Sequence, residues 1–210
     1  MNLLVIGSTG GTGREIVTQA LEQGHFVTAF ARNPARMKTR HERLTVVEGN
    51  VLDPASLDRA VPGHDAVLCA LGHKQWFIKT GILSEGTRNL ISAMETHGVK
   101  RLICETTLGI GDTRGKLGLY YTLFVIPFIT YFYFRDKERQ EQFIRESSLD
   151  WIIVRPGQLT NGRKRGIYRH GPDVGSFLMT VHISRADVAG FMLNQTKDDT
   201  HLAQAVSIAY

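Results

Sequence analysis

An apolar run, Leu3-Leu4-Val5-Ile6, passes directly into Gly7-Ser8-Thr9-Gly10-Gly11-Thr12-Gly13, where a helical pattern begins. No other feature constrains the chain as much as this G-x-x-G-x-x-G arrangement. Glycine admits positive φ and carries no side chain, so the backbone can lie close against an anion. The N-terminus of the following helix adds free N–H groups and a positive dipole end. Placed between a first strand and a first helix, Gly7, Gly10, Gly11 and Gly13, with the hydroxyls of Thr9 and Thr12, form a cradle suited to a pyrophosphate.

The rest of the chain repeats the same alternation. Short apolar runs rich in β-branched residues lie at 3–6, 26–31, 44–47, 66–70, 101–104, 151–154 and 205–208. They do not alternate with polar residues, as expected of strands buried on both faces of a parallel sheet. Helical patterns between them cover 12–23 and 84–97 and stop at Gly24 and Gly98. Ser184 followed by Asp187 reads as a helix cap with an acid in the first turn. The fold class is therefore α/β, a Rossmann-type doubly wound sheet. A length of 210 residues fits one domain, 1–210, with a small C-terminal cap and an acceptor side built from about 108–134 and 158–183. Cys69 and Cys104 each sit in an apolar run and read as reduced core thiols of a cytoplasmic protein; no metal site is expected. The N-terminus lacks the basic start and long apolar core of a signal peptide. The net charge of +5 allows nucleic acid, an anionic membrane surface or an acidic small molecule. No aromatic-interleaved basic motif favours nucleic acid.

The strand ends sharpen this. The end of the second strand, Phe30-Ala31-Arg32-Asn33-Pro34-Ala35-Arg36, holds no acid for a ribose diol. Arg32 and Arg36 suit a 2′-phosphate instead, so NADP(H) is preferred over NAD(H); a solvated basic turn is the plain alternative. The third strand leads into Asn50 and Val51, where this fold meets adenine. The fourth leads into Leu71-Gly72-His73-Lys74, where Gly72 lets backbone pass close to a cofactor.

These motifs, with Asp65-Ala66-Val67-Leu68-Cys69-Ala70-Leu71-Gly72, Ser84-Glu85-Gly86-Thr87-Arg88-Asn89-Leu90 and Ser184-Arg185-Ala186-Asp187-Val188-Ala189, resemble the atypical short-chain dehydrogenases/reductases. The pattern is most similar to the flavin reductase (biliverdin-IXβ reductase) branch, within a wider NmrA-like family. The resemblance covers about residues 1–158. It implies an NADPH-dependent reductase of flavins, quinones or similar flat acceptors, with Leu71 and Lys74 lining the cofactor's far side and Pro156 beside the nicotinamide amide. It also places a Ser or Thr after the fifth strand, the position of Thr107, and a basic residue near the nicotinamide ribose, the position of Lys137. The family more often has Asp where Asn50 stands.

Tyr133 and Lys137 form Y-x-x-x-K and share a helix face, so the ammonium can favour ionisation of the phenol. The spacing is common by chance, and the flavin reductase branch works without that tyrosine. Residues 117–134 carry no charge. Pro127 and the many aromatics argue against a membrane span. The segment reads as a core helix, an aromatic pocket wall or a homodimer face, with surface contact to a membrane behind these. The run Arg163-Lys164-Arg165 is either a magnet for acidic acceptors or a solvated loop. A non-catalytic NADP-binding redox sensor is the alternative function. A sugar-nucleotide epimerase would need a larger C-terminal part.

Overall fold

The computed structural model describes residues 1–73 and 75–210. Its elements run β1 (Asn2–Ile6), α1 (Gly11–Glu22), β2 (Phe26–Ala31), β3 (Leu44–Glu48), α2 (Pro54–Ala60), β4 (Ala66–Cys69), α3 (Ile82–Thr96) and β5 (Arg101–Glu105). They continue with α4 (Ile126–Phe128), α5 (Tyr131–Glu146), β6 (Asp150–Pro156), β7 (Gln158–Thr160), β8 (Arg169–Gly171), β9 (His182–Ser184), α6 (Arg185–Asn194) and β10 (Gln204–Ala209). Eight strands pair in the order β3-β2-β1-β4-β5-β6-β10-β8. All neighbours are parallel except β8, which runs antiparallel to β10 at the edge. The order reverses between β1 and β4, the place where open α/β sheets bind ligands.

Period-two side-chain alternation divides the core into two layers. Leu3 and Val5 of β1 face Ile16, Val17 and Ala20 of α1, with Val188 and Met192 of α6. Leu4 and Ile6 face the other way, toward Leu57 of α2, Leu90 and Met94 of α3 and Ile144 of α5. The central strands β1, β4, β5 and β6 are mostly apolar because both faces are covered. Two charged residues of the strands, Glu105 and Arg155, are buried near strand ends.

Two sequence expectations change. Helix α3 starts at Ile82, two residues early, because Asp136 of α5 accepts hydrogen bonds from the Leu83 and Ser84 backbone N–H groups at its first turn. Pro156 is the last residue of β6, in register with Ile208. β7 and β9 form a small separate pair, but β10 extends the main sheet. Finally, residues 117–134 are not a core helix. They break into a π-turn at Tyr121–Val125, the short α4 and the start of α5, with most large side chains exposed. Among the described residues, no helix is long and apolar enough to cross a membrane.

Candidate active site

The glycine loop is fixed by two close approaches. Gly7 has φ +76°, and a Cβ there would stand 2.4 Å from the carbonyl oxygen of Ala70, the residue after β4. A Cβ on Gly13 would stand 2.2 Å from the Gly7 carbonyl oxygen. Gly13 thus lets α1 pack onto the loop and does not line the cavity, whereas Gly7, Thr9, Gly10, Gly11 and Thr12 do. Helix α1 has neither a side-chain cap nor an acid in its first turn, which leaves its dipole end for an anion. The Ser8 hydroxyl ties the loop to the Phe30 carbonyl.

From this loop a cavity of about 750 Å³ runs across the strand ends. It gathers Arg32 and Arg36, Asn50 and Val51, Leu71 and Gly72, Thr107, Tyr133, Lys137 and Pro156. Every expected cofactor or catalytic residue except Gly13 therefore lines one space, apart from Lys74, which lies outside the described residues. Arg32 and Arg36 flank a tight turn capped by Asn33, whose side chain accepts from the Ala35 N–H, and both are exposed. The Asn50 side-chain oxygen already accepts from the Leu52 N–H, leaving its amide N–H groups as donors. Val51 is buried where Gly86 makes room; a Cβ there would meet it at 2.6 Å. A second cavity, about 780 Å³, opens on the far side of α5 between Asp112, Arg145 and His201. It touches neither the glycine loop nor the β1 and β4 ends, so the site is assigned to the first.

At the far end of the site Lys137 is fully buried, its ammonium donating to the carbonyls of Leu71 (3.0 Å) and Glu105 (2.9 Å). Burial alone would lower its pKa, but nearby Tyr133, Cys104, Glu105 and Cys69 outweigh burial and hold it above the ordinary lysine value. Lys137 therefore remains an ammonium at neutral pH. It lies 5.8 Å from the Tyr133 ring centre, and Tyr133 packs edge-on against His73 at 5.1 Å. Burial lowers the His73 pKa, more than Asp136 raises it, so this imidazole is neutral at physiological pH. Thr107 is half-buried, and its hydroxyl donates to the Leu108 carbonyl. Its neighbour Thr106 points away and donates to Glu141.

Three residues escaped sequence reasoning. Glu105 is buried at the end of β5, accepts from the Thr12 hydroxyl at 3.0 Å and lines the cavity. Burial raises its pKa, partly offset by Lys137, Thr12 and Arg185. Arg185 opens α6 and lies over the glycine loop, where a Cβ on Gly11 would meet its side chain at 2.5 Å; Asn161 holds its guanidinium. Arg155 makes a bidentate pair with Glu141, at 2.9 and 2.6 Å, and a third bond to Asp112. A charged residue directly following an apolar run was the available signal for Glu105 and Arg155. The basic run lies elsewhere: Lys164 bonds Gln19 of α1 and Arg165 stacks on Tyr210, and neither lines the cavity.

A family model described as NAD(P)H-binding matches residues 7–199. A photosystem II assembly factor, Ycf39, from Synechocystis is 36% identical over 73% of this chain and 44% of its own. A (4-alkanoyl-5-oxo-2,5-dihydrofuran-3-yl)methyl phosphate reductase from Streptomyces griseus is 30% identical over 73% of this chain and 46% of its own. The chain thus spans about half the length of these two curated relatives. An anaerobilin reductase structure, ChuY from Escherichia coli, superposes with a TM-score of 0.82 at 22% identity, covering 100% of this chain and 97% of the other, a likeness of fold.

Proposed function

The chain belongs to that NAD(P)H-binding family, and from this premise we propose that it is an NADPH-dependent reductase passing a hydride to a small, flat, conjugated acceptor such as a flavin or quinone. One observation carries the reading: a single cavity joins an uncapped phosphate cradle, two exposed arginines and a wall of Thr107, Tyr133 and Lys137. The donor set fits the dinucleotide. The loop N–H groups and Arg185 meet the pyrophosphate, Arg32 and Arg36 the 2′-phosphate, and Asn50 and Val51 the adenine. Leu71, Gly72 and Pro156 shape the walls that hold the two rings, and Gly13 acts only by letting α1 pack onto the loop.

When bound, the reduced nicotinamide supplies the hydride. The chain's own residues orient and polarise. Thr107 turns its hydroxyl toward the acceptor carbonyl or the carboxamide. Tyr133 stands at the open side as a proton donor. Lys137 is a positioning residue; fixed between two carbonyls, it holds the β4 and β5 ends together and places a positive field beside the phenol. The reductase names of two relatives support the class of reaction and leave the acceptor open.

The test is a fluorescence titration with NADPH and with NADH, followed by an acceptor screen. NADPH binding at least tenfold tighter, with turnover of one or more flavins or quinones, is the expected result. Equal affinities would sink the arginine argument. Tight NADPH binding with no acceptor oxidising it would leave the redox sensor as the better reading.

A further inference from the structure

The uncharged segment and two loops near it expose an apolar surface that a lone soluble domain does not need. Phe124, Phe128, Leu178 and Met179 are 57%, 74%, 74% and 74% exposed, and Tyr120, Leu123, Tyr131, Phe132, Phe177 and Phe77 join them. The segments lie together. Leu117 bridges to Ser176, and a Cβ on Gly118 would touch the Met179 carbonyl at 2.9 Å. Trp76, Tyr121 and Tyr133 line the same cavity, so the patch surrounds the mouth of the site. Exposed apolar clusters of this extent mark a partner or a membrane.

Charge decides between the two. Across 75–80, 114–135 and 174–181 the charged residues are the cations Lys79, Arg114, Lys116 and Arg135; Glu138 pairs with both arginines and Asp173 stands at the edge, so Lys79 and Lys116 give the face its net positive charge. A symmetric pairing of two copies through this face would bring like charges together. An anionic bilayer complements them, and an aromatic surface with a basic fringe is the make-up of an interfacial anchor. We propose that this face docks on an anionic lipid bilayer, seating Phe124, Phe128 and Leu178 among the acyl chains, with Lys79 and Lys116 at the headgroups and the cavity mouth opening toward the lipid. Docking is peripheral, and it stands independently of the reductase reading.

Co-sedimentation with phosphatidylglycerol/phosphatidylcholine vesicles and with pure phosphatidylcholine vesicles tests it. Binding to the anionic vesicles, weakened by salt, is expected. The F124S/F128S/L178S variant should lose about tenfold or more of that binding. K79E/K116E should lose a similar factor on anionic vesicles alone. These side chains are exposed or half-buried; NADPH titration of each variant, with wild-type affinity expected, separates lost docking from lost fold or site. Wild-type protein that stays in the supernatant at every composition overturns the proposal. So does a serine variant that binds vesicles like wild type. A concentration-dependent dimer, seen by light scattering and abolished by the serine variant, with no vesicle binding, would assign the face to a second copy and overturn it too.

Discussion

Removing the Glu141 carboxylate should cost the fold more than removing the whole ion pair. Arg155 is buried and makes two of its three side-chain bonds to Glu141; the third goes to Asp112, whose side chain is 77% exposed. Thr106 also bonds Glu141, and Arg145 approaches it at 3.7 Å. Glu141→Leu leaves a guanidinium with one solvated partner and a buried hydroxyl without its acceptor. A buried charge that loses its partner costs about 3–5 kcal/mol. For a chain of this size that corresponds to a Tm lower by roughly 6–20 °C. Glu141→Leu combined with Arg155→Met removes the demand as well as the supply, so the double variant should lie within about 1–2 kcal/mol of wild type, the scale of the one unmet Thr106 hydroxyl. Thermal and urea unfolding followed by circular dichroism supply all four corners of the cycle. If Glu141→Leu loses under 1 kcal/mol, or the double variant is less stable than Glu141→Leu, the claim that this pair holds α5 to β6 fails.

Arg32→Ala should weaken NADPH binding by about 1–3 kcal/mol, the scale of lost charge-assisted hydrogen bonds, and leave NADH unchanged; isothermal titration of both cofactors checks it. Glu105 has its folded-state pKa raised by burial, so its stabilising share is complete below the ordinary carboxylate pKa and is lost as pH rises through the raised value. Glu105→Gln should therefore gain on wild type in urea midpoint as pH rises through that window, with little difference at lower pH. Lys137→Met removes an ammonium that two carbonyls need and should lower kcat in the acceptor assay far more than it raises the NADPH Kd. Asp187, held by Ser184, Tyr210 and the Arg165 and Gly166 N–H groups, has its pKa lowered by those bonds against the opposing effect of burial. Its contribution is present above the ordinary carboxylate pKa and lost as pH falls through the lowered value, so Asp187→Asn should flatten the acid limb of the stability curve.

The parts legible in the sequence were those where one residue type answers one backbone demand. A strand passing into three spaced glycines has few other solutions, and the strand-end positions of Arg32, Asn50 and Gly72 follow from the parallel sheet once it is accepted, whereas Thr107 came from the family resemblance. The illegible parts depended on what packs opposite. That Gly13 serves packing rather than the cavity depends on the Gly7 carbonyl beneath it. That α3 begins at Ile82 depends on a carboxylate 53 residues away, Asp136. The core-helix reading of 117–134 failed because it took hydrophobicity as burial. Its length suited a core helix, but Pro127 interrupts it and α5 already occupies the place beside α3.

The charged strand residues carry a lesson about α5. One face of this helix presents Lys137 to the strand-end carbonyls of the site, and one turn later Glu141 clamps Arg155 of β6. Asp136, the residue before Lys137, caps α3, and Gln140 bonds Thr87 of α3. Four buried polar side chains on a helix that could have been apolar incur a desolvation cost that burying leucines would not. They fix the rotation and height of α5 to within hydrogen-bond tolerances, which apolar packing does less strictly. Tyr133 and Lys137 depend on that placement to reach the cavity. On this argument Gln140→Leu, which removes one such bond without leaving a buried charge, should change stability by about 1 kcal/mol or less. If α5 is held as argued, the same variant should also leave kcat nearly intact, because Asp136 and Glu141 still bracket the turn that carries Lys137. A large fall in kcat with unchanged stability would show that the helix is not held by this row of bonds.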